Sequence, residues 1–491
     1  MNMMISKTAY CAGLQCPKML WLRTHRPELL PEDSKNSVFF NTGNAVGDLA
    51  AGLFGEFVKV PYGDPHNMVV DTAKLLSAGT GIVAEASFAH DDLFCAVDIV
   101  INLGNSNVEL YEVKSSTSVY DVHRHDVAFQ VYVLEKCGLT VNKAYVIHLD
   151  KSYVRKGELE VRRLFHIEDL TEEVRGMQDS VAEKTALLQK CTVQAEEPDK
   201  GIGPHCFAPY HCSFWPYCTV GLPEWNVFRL SGMQLRTKLN YYNQGIISYE
   251  ELAARAKLSE SQRMEIDHNL HMQADHIDKD KIREFLTSLT YPIYFLDFES
   301  FQPAIPQYDN TYPYKQIVFQ YSLHYYEEEN GPLLHNEFLA QPGEDPRRPL
   351  AELLCQDVPK GVCVVAYNMS FEKARIKEFA ELYPDLTEHL MDIYRNIVDL
   401  MVPFFKRYYY TRAMEGSYSI KYVLPALFPD DPELDYHSLD NVHNGMEASA
   451  AFAMMDRLPP EEAQAVRANL LKYCGLDTYA MVKIFEKLRA L

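Results

Sequence analysis

Phe94-Cys-Ala-Val-Asp98-Ile-Val-Ile101-Asn-Leu-Gly-Asn-Ser-Asn107-Val-Glu-Leu-Tyr-Glu112-Val-Lys114 decides the fold of the first half of the chain. Residues 94–101 form a β-branched run, Leu103 to Asn107 carry turn chemistry, and residues 108–114 return as a second strand. The segment therefore predicts a β-hairpin. On the returning strand a period of two puts Val108, Leu110, Glu112 and Lys114 on one face. Charge on a face that begins apolar needs a reason, and Asp98 on the neighbouring strand supplies one. Two carboxylates from adjacent strands can share a divalent metal, and the lysine can position a water or steady phosphate charge. A Glu-x-Lys pair is common, and a solvated strand edge explains it when it stands alone. Order and context carry the argument further.

Downstream, Asp121 reads as an N-cap, and Val122, Phe129, Tyr132 and Val133 give the following helix an apolar stripe closed by Gly138. Gln130 lies inside that helix, able to face the strand carrying Glu112. Upstream, Ser6 opens a short helix presenting Cys11 and Cys16 and ending near Pro17. Asn41-Thr-Gly43-Asn-Ala-Val-Gly47-Asp48 begins another helix with small residues on one side. Residues 143–167 read as two more strands whose Lys151, Arg155, Lys156, Arg162 and Arg163 form a basic patch. That patch suits either a phosphate backbone or a solvated hairpin tip. Residues 169–191 read as a polar helix.

This helix leads to His205-Cys206-Phe-Ala-Pro-Tyr-His211-Cys212-Ser-Phe-Trp-Pro-Tyr-Cys218, an irregular loop because Pro204, Pro209 and Pro216 interrupt any helix. Cys206, Cys212 and Cys218 stand at even spacing, and Cys16 near the N-terminus makes a fourth thiolate. Together they suit one metal centre clasping the start of a domain to its end. Four-thiolate iron–sulfur ligation accepts varied spacing, structural zinc favours close pairs that are absent here, and plain burial is the third reading. His205 and His211 each precede a cysteine, where two neighbours rarely reach one ion. Cys11, Cys95, Cys137 and Cys191 have no partners at ligand spacing and read as packing.

The chain has 491 residues, enough for two or three domains, and a formal net charge of −21 that argues against non-specific coating of nucleic acid by a basic surface. A nuclease remains open, since metal sites are built from carboxylates. Eleven cysteines do not form a secreted disulfide pattern, and no stretch is apolar for the length of a membrane span. A cytoplasmic protein with no membrane partner is the expectation. Residues 222–289 read as polar helices that space two machines.

In the second half, Tyr291-Pro-Ile-Tyr-Phe-Leu-Asp297-Phe-Glu299 is a buried-strand run with both acids on one face. Asn368-Met-Ser-Phe-Glu372 opens a helix with Ser370 as its cap, and Ser417 opens another. Tyr473 and Asp477 are four apart on a long C-terminal helix and share a face. Phe404-Phe-Lys-Arg-Tyr-Tyr-Tyr-Thr-Arg412 interleaves aromatics with bases, as a clamp on single-stranded bases or as the edge of a core.

An acidic strand, a hairpin, a Glu-x-Lys strand and a glutamine-bearing helix, in that order, resemble the PD-(D/E)XK nuclease core of the RecB type. The resemblance implies that Asp98 and Glu112 are metal ligands, Lys114 the catalytic lysine and Gln130 a motif glutamine. It also implies that Cys16, Cys206, Cys212 and Cys218 hold a 4Fe-4S cluster. Two features depart from the family: C-x5-C-x5-C replaces C-x2-C-x5-C, and Gly47 stands where an early helix usually has a metal-binding histidine. The second half resembles the tyrosine variant of the DEDD exonucleases, with their RNase H-like fold. This implies that Asp297, Glu299, Glu372 and Asp477 hold two divalent ions, Mg2+ or Mn2+, while Tyr473 orients the attacking water. Glu372 replaces the usual aspartate, and Asp399 is the other candidate for that ligand.

Together the halves resemble an uncharacterised bacterial family of predicted RecB-type nucleases. The expected architecture is α/β throughout: a PD-(D/E)XK restriction-endonuclease-like domain over 1–220, a helical connector over 221–289 and an RNase H-like exonuclease domain over 290–491. The implied function is metal-dependent cleavage of nucleic acid in repair, processing or defence, with 3′–5′ polarity in the second domain. DNA is favoured, single-stranded or at ends. A nucleic-acid-binding scaffold with degenerate nuclease sites is the alternative.

Overall fold

The computed structural model describes residues 4–31, 37–272, 274–435 and 442–491, and of residues 37–42 and 44 the backbone alone. The described chain is a mixed α/β protein that divides into two compact units. The first comprises Met1–Gly221 together with Pro303–Lys315, and the second Leu222–Gln302 together with Gln316–Leu491.

The first unit is built on a seven-stranded sheet. In chain order its strands are β1 (Ile5–Ser6), β2 (Val58–Lys59), β3 (Ile82–His90), β4 (Leu93–Gly104), β5 (Asn107–Lys114), β6 (Thr140–Leu149) and β7 (Phe165–Asp169). The spatial order is β2-β3-β4-β5-β6-β7, and β1 pairs with β4. The expected hairpin is β4–β5, antiparallel, with Ile99 opposite Tyr111 and Val100 opposite Leu110. Its turn puts Asn105 and Ser106 at φ of 51° and 63°, the left-handed conformation that lets a tight connection follow the twist of the strands. Strands β5 and β6 run parallel, joined by the Asp121–Lys136 helix, whose Val127, Ala128, Phe129 and Val131 bury against the sheet. Tyr120, not Asp121, occupies the N-cap of that helix, because the chain turns one residue earlier.

The second expected strand of 143–167 is partly helical: Val161–Leu164 forms a single turn before β7, and Arg163 there pairs with Glu160 at 2.7 Å. Arg155 from the basic patch is spent structurally. Its guanidinium donates to the Pro306 and Gln307 carbonyls at 3.0 and 2.7 Å, fixing the Pro303–Lys315 segment. Thr311 of that segment is fully buried, and the Tyr314 hydroxyl donates to the Ser115 carbonyl at 2.5 Å.

In the second unit, β8 (His276–Ile277) pairs with β14 (Tyr409–Tyr410). Residues 222–289 are thereby tied to the later part of the chain, and they fall within the second unit. The main sheet contains β9 (Ile293–Phe301), β10 (Ile317–Tyr326), β11 (Leu334–Leu339), β12 (Cys363–Ala366) and β13 (Ile397–Asp399), in the order β11-β10-β9-β12-β13. Strands β9 to β11 are antiparallel, whereas β12 is parallel to both β9 and β13. Strand β9 is therefore central, and Tyr294, Phe295 and Leu296 are fully buried. The Pro460–Arg489 helix packs across it, pinned by Gln320 Nε2 donating to the Leu470 carbonyl at 2.8 Å.

The aromatic–basic run at 404–412 belongs to this core. Phe404, Arg407, Tyr409 and Tyr410 are buried, and the Arg407 guanidinium meets the buried Glu265 carboxylate at 3.5 Å. Phe405 and Lys406 remain exposed.

Candidate functional site

The β4–β5 register places Asp98 and Glu112 side by side, one step beyond the Ile99–Tyr111 pair. Asp98 Oδ2 accepts the Val113 backbone N–H at 2.6 Å. Glu112 is nearly fully buried and receives four hydrogen bonds. Lys7 Nζ donates to Oε1 at 2.8 Å and Oε2 at 3.0 Å, Lys114 Nζ to Oε1 at 2.7 Å, and Gln130 Nε2 to Oε2 at 2.8 Å. Lys114 also reaches Asp126 at 2.5 Å, and Gln130 donates to the same carboxylate at 3.0 Å. Asp98, Glu112, Lys114 and Gln130 are thus brought together, with two residues the sequence reading missed.

Asp126 had a signal: it lies four residues before Gln130 and shares its helix face. Lys7 had none. It arrives because the two-residue strand β1 pairs in parallel with β4, Ile5 opposite Leu93 and Ser6 opposite Phe94. Ser6 then caps the Lys7–Gln15 helix by accepting the Ala9 N–H at 3.1 Å. The expected helix carrying Gly47 spans Ser37–Ala51, and the side chains of Asn41, Thr42 and Asn44 lie outside the described residues. A side chain at Gly47 would meet open space among the described residues.

The electrostatics follow from crowding. Burial pushes Asp98 up to about 7, helped by the Glu112 charge beside it. Burial also acts to raise Glu112, but Lys114 and Lys7 outweigh it and hold that carboxyl far below the usual range. Burial opposes the charge on both lysines, and the surrounding carboxylates overcome it, so both stay protonated. A cavity of about 920 Å3 opens beside them, lined by Lys7, Lys114, Arg23, Tyr120, His123 and Tyr210, among others.

The four cysteines also converge. Cys16, Cys206, Cys212 and Cys218 line one small cavity closed by Met19, Leu22 and Phe214. Burial raises Cys206, Cys212 and Cys218, the last to about 11, and neighbouring cysteines add to the shift in each. Gln15 Nε2 braces the loop by donating to the His205 and Tyr210 carbonyls at 2.8 and 2.7 Å. His211 turns away to pack edge-on against Phe207 and Trp215. Cys191 lies near Cys16 but points its thiol at the Pro17 carbonyl, 3.4 Å away.

In the second unit, ligand atoms of Asp297, Glu299 and Asp477 all lie within 4.8 Å of one another. Asp297 and Glu299 come from one face of β9. Asp477 is held toward them because its neighbour Thr478 bonds Ser322 on β10 at 2.6 Å, and Ser322 pairs with Asp297 across the strands. Tyr473 sits one helical turn before Asp477, buried, and the charges of Asp477, Glu299 and Asp297 add to burial in raising its phenol.

Glu372, on the Ser370–Leu382 helix, is buried, and among the described residues its Oε2 has no hydrogen-bond partner. Met369, not Ser370, takes the N-cap position of that helix. Asp399 is occupied: it accepts the backbone N–H groups of Asn368 at 2.9 Å, Met369 at 3.3 Å and Met401 at 2.9 Å. It shapes the turn that presents Glu372.

Burial is the first cause of the upward shifts here; repulsion from Asp477 comes next for Asp297 and Glu299, while Glu372 feels the Asp399 charge. Glu299 and Glu372 each rise to about 8, and Asp297 rises well above its ordinary value. Among the described residues, none of Asp297, Glu299 and Glu372 has a lysine or arginine at ion-pair distance. Lys421 acts on Glu299 only from farther away. Carboxylates gathered this closely, with Glu299 buried among them, fit a hard divalent ion.

Residues 294–419 match a family model described as a domain of unknown function (DUF2779), a span that holds Asp297, Glu299 and Glu372. Uncharacterized protein UU173 from Ureaplasma parvum serovar 3 is 27% identical over 212 residues, covering 39% of this chain and 30% of that relative. The match thus spans less than a third of the relative's length. Among the described residues, no helix is long and apolar enough to cross a membrane.

Proposed function

We propose that the protein is a metal-dependent nuclease whose phosphodiester hydrolysis takes place in the second unit. The observation that carries this reading is the cluster of Asp297, Glu299 and Asp477 within 4.8 Å, with Glu372 outside that distance but near enough for its charge to act on Asp297 and Glu299. A central strand with the acids, three antiparallel strands followed by two parallel ones, and a C-terminal helix carrying Tyr473 and Asp477 support an RNase H-like exonuclease of the DEDD type.

Bound Mg2+ or Mn2+ would supply an activated water and charge stabilisation for the leaving oxygen. The four carboxylates would hold the ions. Tyr473, one helical turn before Asp477, would orient the attacking water through its hydroxyl. Acidic sites of this kind suit a substrate that brings its own phosphates, and DNA with a free 3′ end is the favoured one.

For the first unit, the antiparallel β3–β4–β5 run, the β5-helix-β6 crossover and the Asp98, Glu112, Lys114 and Gln130 cluster support a PD-(D/E)XK relationship. The convergence of four cysteines supports a 4Fe-4S cluster. Thiolates on one zinc would sit about 3.8 Å apart, from Zn–S bonds of about 2.3 Å. Among the described residues, no three of these sulfurs lie within 4.8 Å of one another. A polynuclear centre suits that wider spread.

The test is degradation of end-labelled single-stranded DNA, duplex DNA and RNA with Mg2+, Mn2+ or EDTA. Metal-dependent release of nucleotides from the 3′ end is expected. Tight binding with no cleavage under any of these conditions would favour the scaffold reading.

A further inference from the structure

The two carboxylate clusters differ in one respect. Among the described residues no lysine or arginine stands at ion-pair distance from Asp297, Glu299 or Glu372, whereas Glu112 has two. A carboxylate has about four acceptor positions. On Glu112 all four are taken, two by Lys7 and one each by Lys114 and Gln130. Lys7 Nζ also stands 3.7 Å from Asp98 Oδ1, so its ammonium lies between the two expected metal ligands. Counting Asp98, Glu112 and Asp126 against Lys7 and Lys114, the cluster carries a formal charge of −1, and removal of Lys7 would leave −2. A divalent cation needs several oxygens with free lone pairs, and Glu112, the expected ligand between the two lysines, offers none. As folded, these residues do not fit a metal centre.

We propose that Lys7 is a built-in counter-ion that takes the place of a divalent metal between Asp98 and Glu112, leaving the first unit a metal-excluding, phosphate-facing site. The placement has a structural source. Lys7 is the first residue of a helix anchored by the β1–β4 pairing, and its stem is held on a part-buried path to Glu112. It lines the same cavity as Lys114 and Arg23, so its charge also faces the space a nucleic-acid phosphate would enter. Discrimination against metal then follows from occupancy. An incoming ion must displace an ammonium that makes two short hydrogen bonds to a buried carboxylate, and it must leave that ammonium close by.

The experiment counts Mn2+ bound to the full chain, by the electron paramagnetic resonance signal of free Mn2+. Asp297→Asn and Asp477→Asn are included to remove the second cluster from the count. In that background the Lys7 protein is expected to bind no Mn2+ below the millimolar range. Lys7→Met and Lys7→Gln are each expected to gain one Mn2+ with at least about tenfold higher affinity, and Glu112→Gln should abolish the gain. One tightly bound Mn2+ in the Lys7 protein, lost on Glu112→Gln, would overturn the proposal whether or not the Lys7 variants fold. So would the absence of any gain in Lys7 variants whose circular dichroism matches the parent. Because the second cluster is disabled throughout, neither result depends on where hydrolysis occurs.

Discussion

Replacing Asp297 with asparagine should stabilise the metal-free protein and abolish its stabilisation by metal. Asp297, Glu299 and Asp477 present oxygens within 4.8 Å of one another, with Glu299 buried and the other two half-buried. Two full charges at that separation repel by about 3–4 kcal/mol at an effective dielectric constant of about 20. Burial and repulsion have already raised Glu299 to about 8, so at neutral pH part of that energy is relieved by protonation. The remaining gain for Asp297→Asn is about 1–2 kcal/mol, or a rise of roughly 2–8 °C in Tm at 2–4 °C per kcal/mol. Adding Mn2+ at about one hundred times its Kd should stabilise the wild-type protein by about 2.7 kcal/mol and leave the variant unmoved. Differential scanning calorimetry with and without Mn2+ measures both. A variant that melts below wild type without metal, yet rises equally with Mn2+, would refute the reasoning.

Three further outcomes follow from the same geometry. Anaerobically purified protein should be brown with about four iron and four sulfide per chain, and Cys206→Ser should lower both. A colourless protein with stoichiometric zinc would contradict the cluster. Tyr473→Phe keeps the ring but removes the hydroxyl proposed to orient water, so kcat should fall roughly 10- to 100-fold with Mn2+ affinity unchanged. An equal loss of metal affinity would make Tyr473 a structural part of the metal site instead. His324, partly buried and stacked on His335, is pushed down to about 3 from 6.5, chiefly by burial. Below pH 6.5 the unfolded chain takes up a proton that the folded chain refuses until about pH 3. Stability should therefore be fully present above the upper value and fall as pH drops through the window, and His324→Gln should flatten that slope in urea titrations at several pH values.

What the sequence revealed depended on how local the physics was. The β4–β5 hairpin was legible because alternation and turn chemistry lie within one stretch, and so was the shared face of Tyr473 and Asp477. Helix starts slipped by one residue at Asp121 and Ser370, because Tyr120 and Met369 hold the N-cap positions although neither is a preferred capping residue. Asp126 was readable from its four-residue spacing to Gln130. Lys7 was not, since a two-residue strand has no periodicity, and the partner it reaches is 105 positions away. Asp399 looked like a ligand because composition cannot tell a free carboxylate from one already bonded to three backbone N–H groups. The basic residues misled for the same reason: Arg155 and Arg407 are spent on the fold, one on carbonyls of the Pro303–Lys315 segment and one on Glu265.

The most direct measurement is nucleotide release from a 5′-labelled single-stranded DNA with Mn2+, comparing wild type, Asp297→Asn and Glu112→Gln. The account predicts stepwise shortening from the 3′ end by wild type and Glu112→Gln, and loss of at least about a hundredfold in Asp297→Asn. Cleavage that survives Asp297→Asn and disappears in Glu112→Gln would place the hydrolysis in the first unit and contradict it.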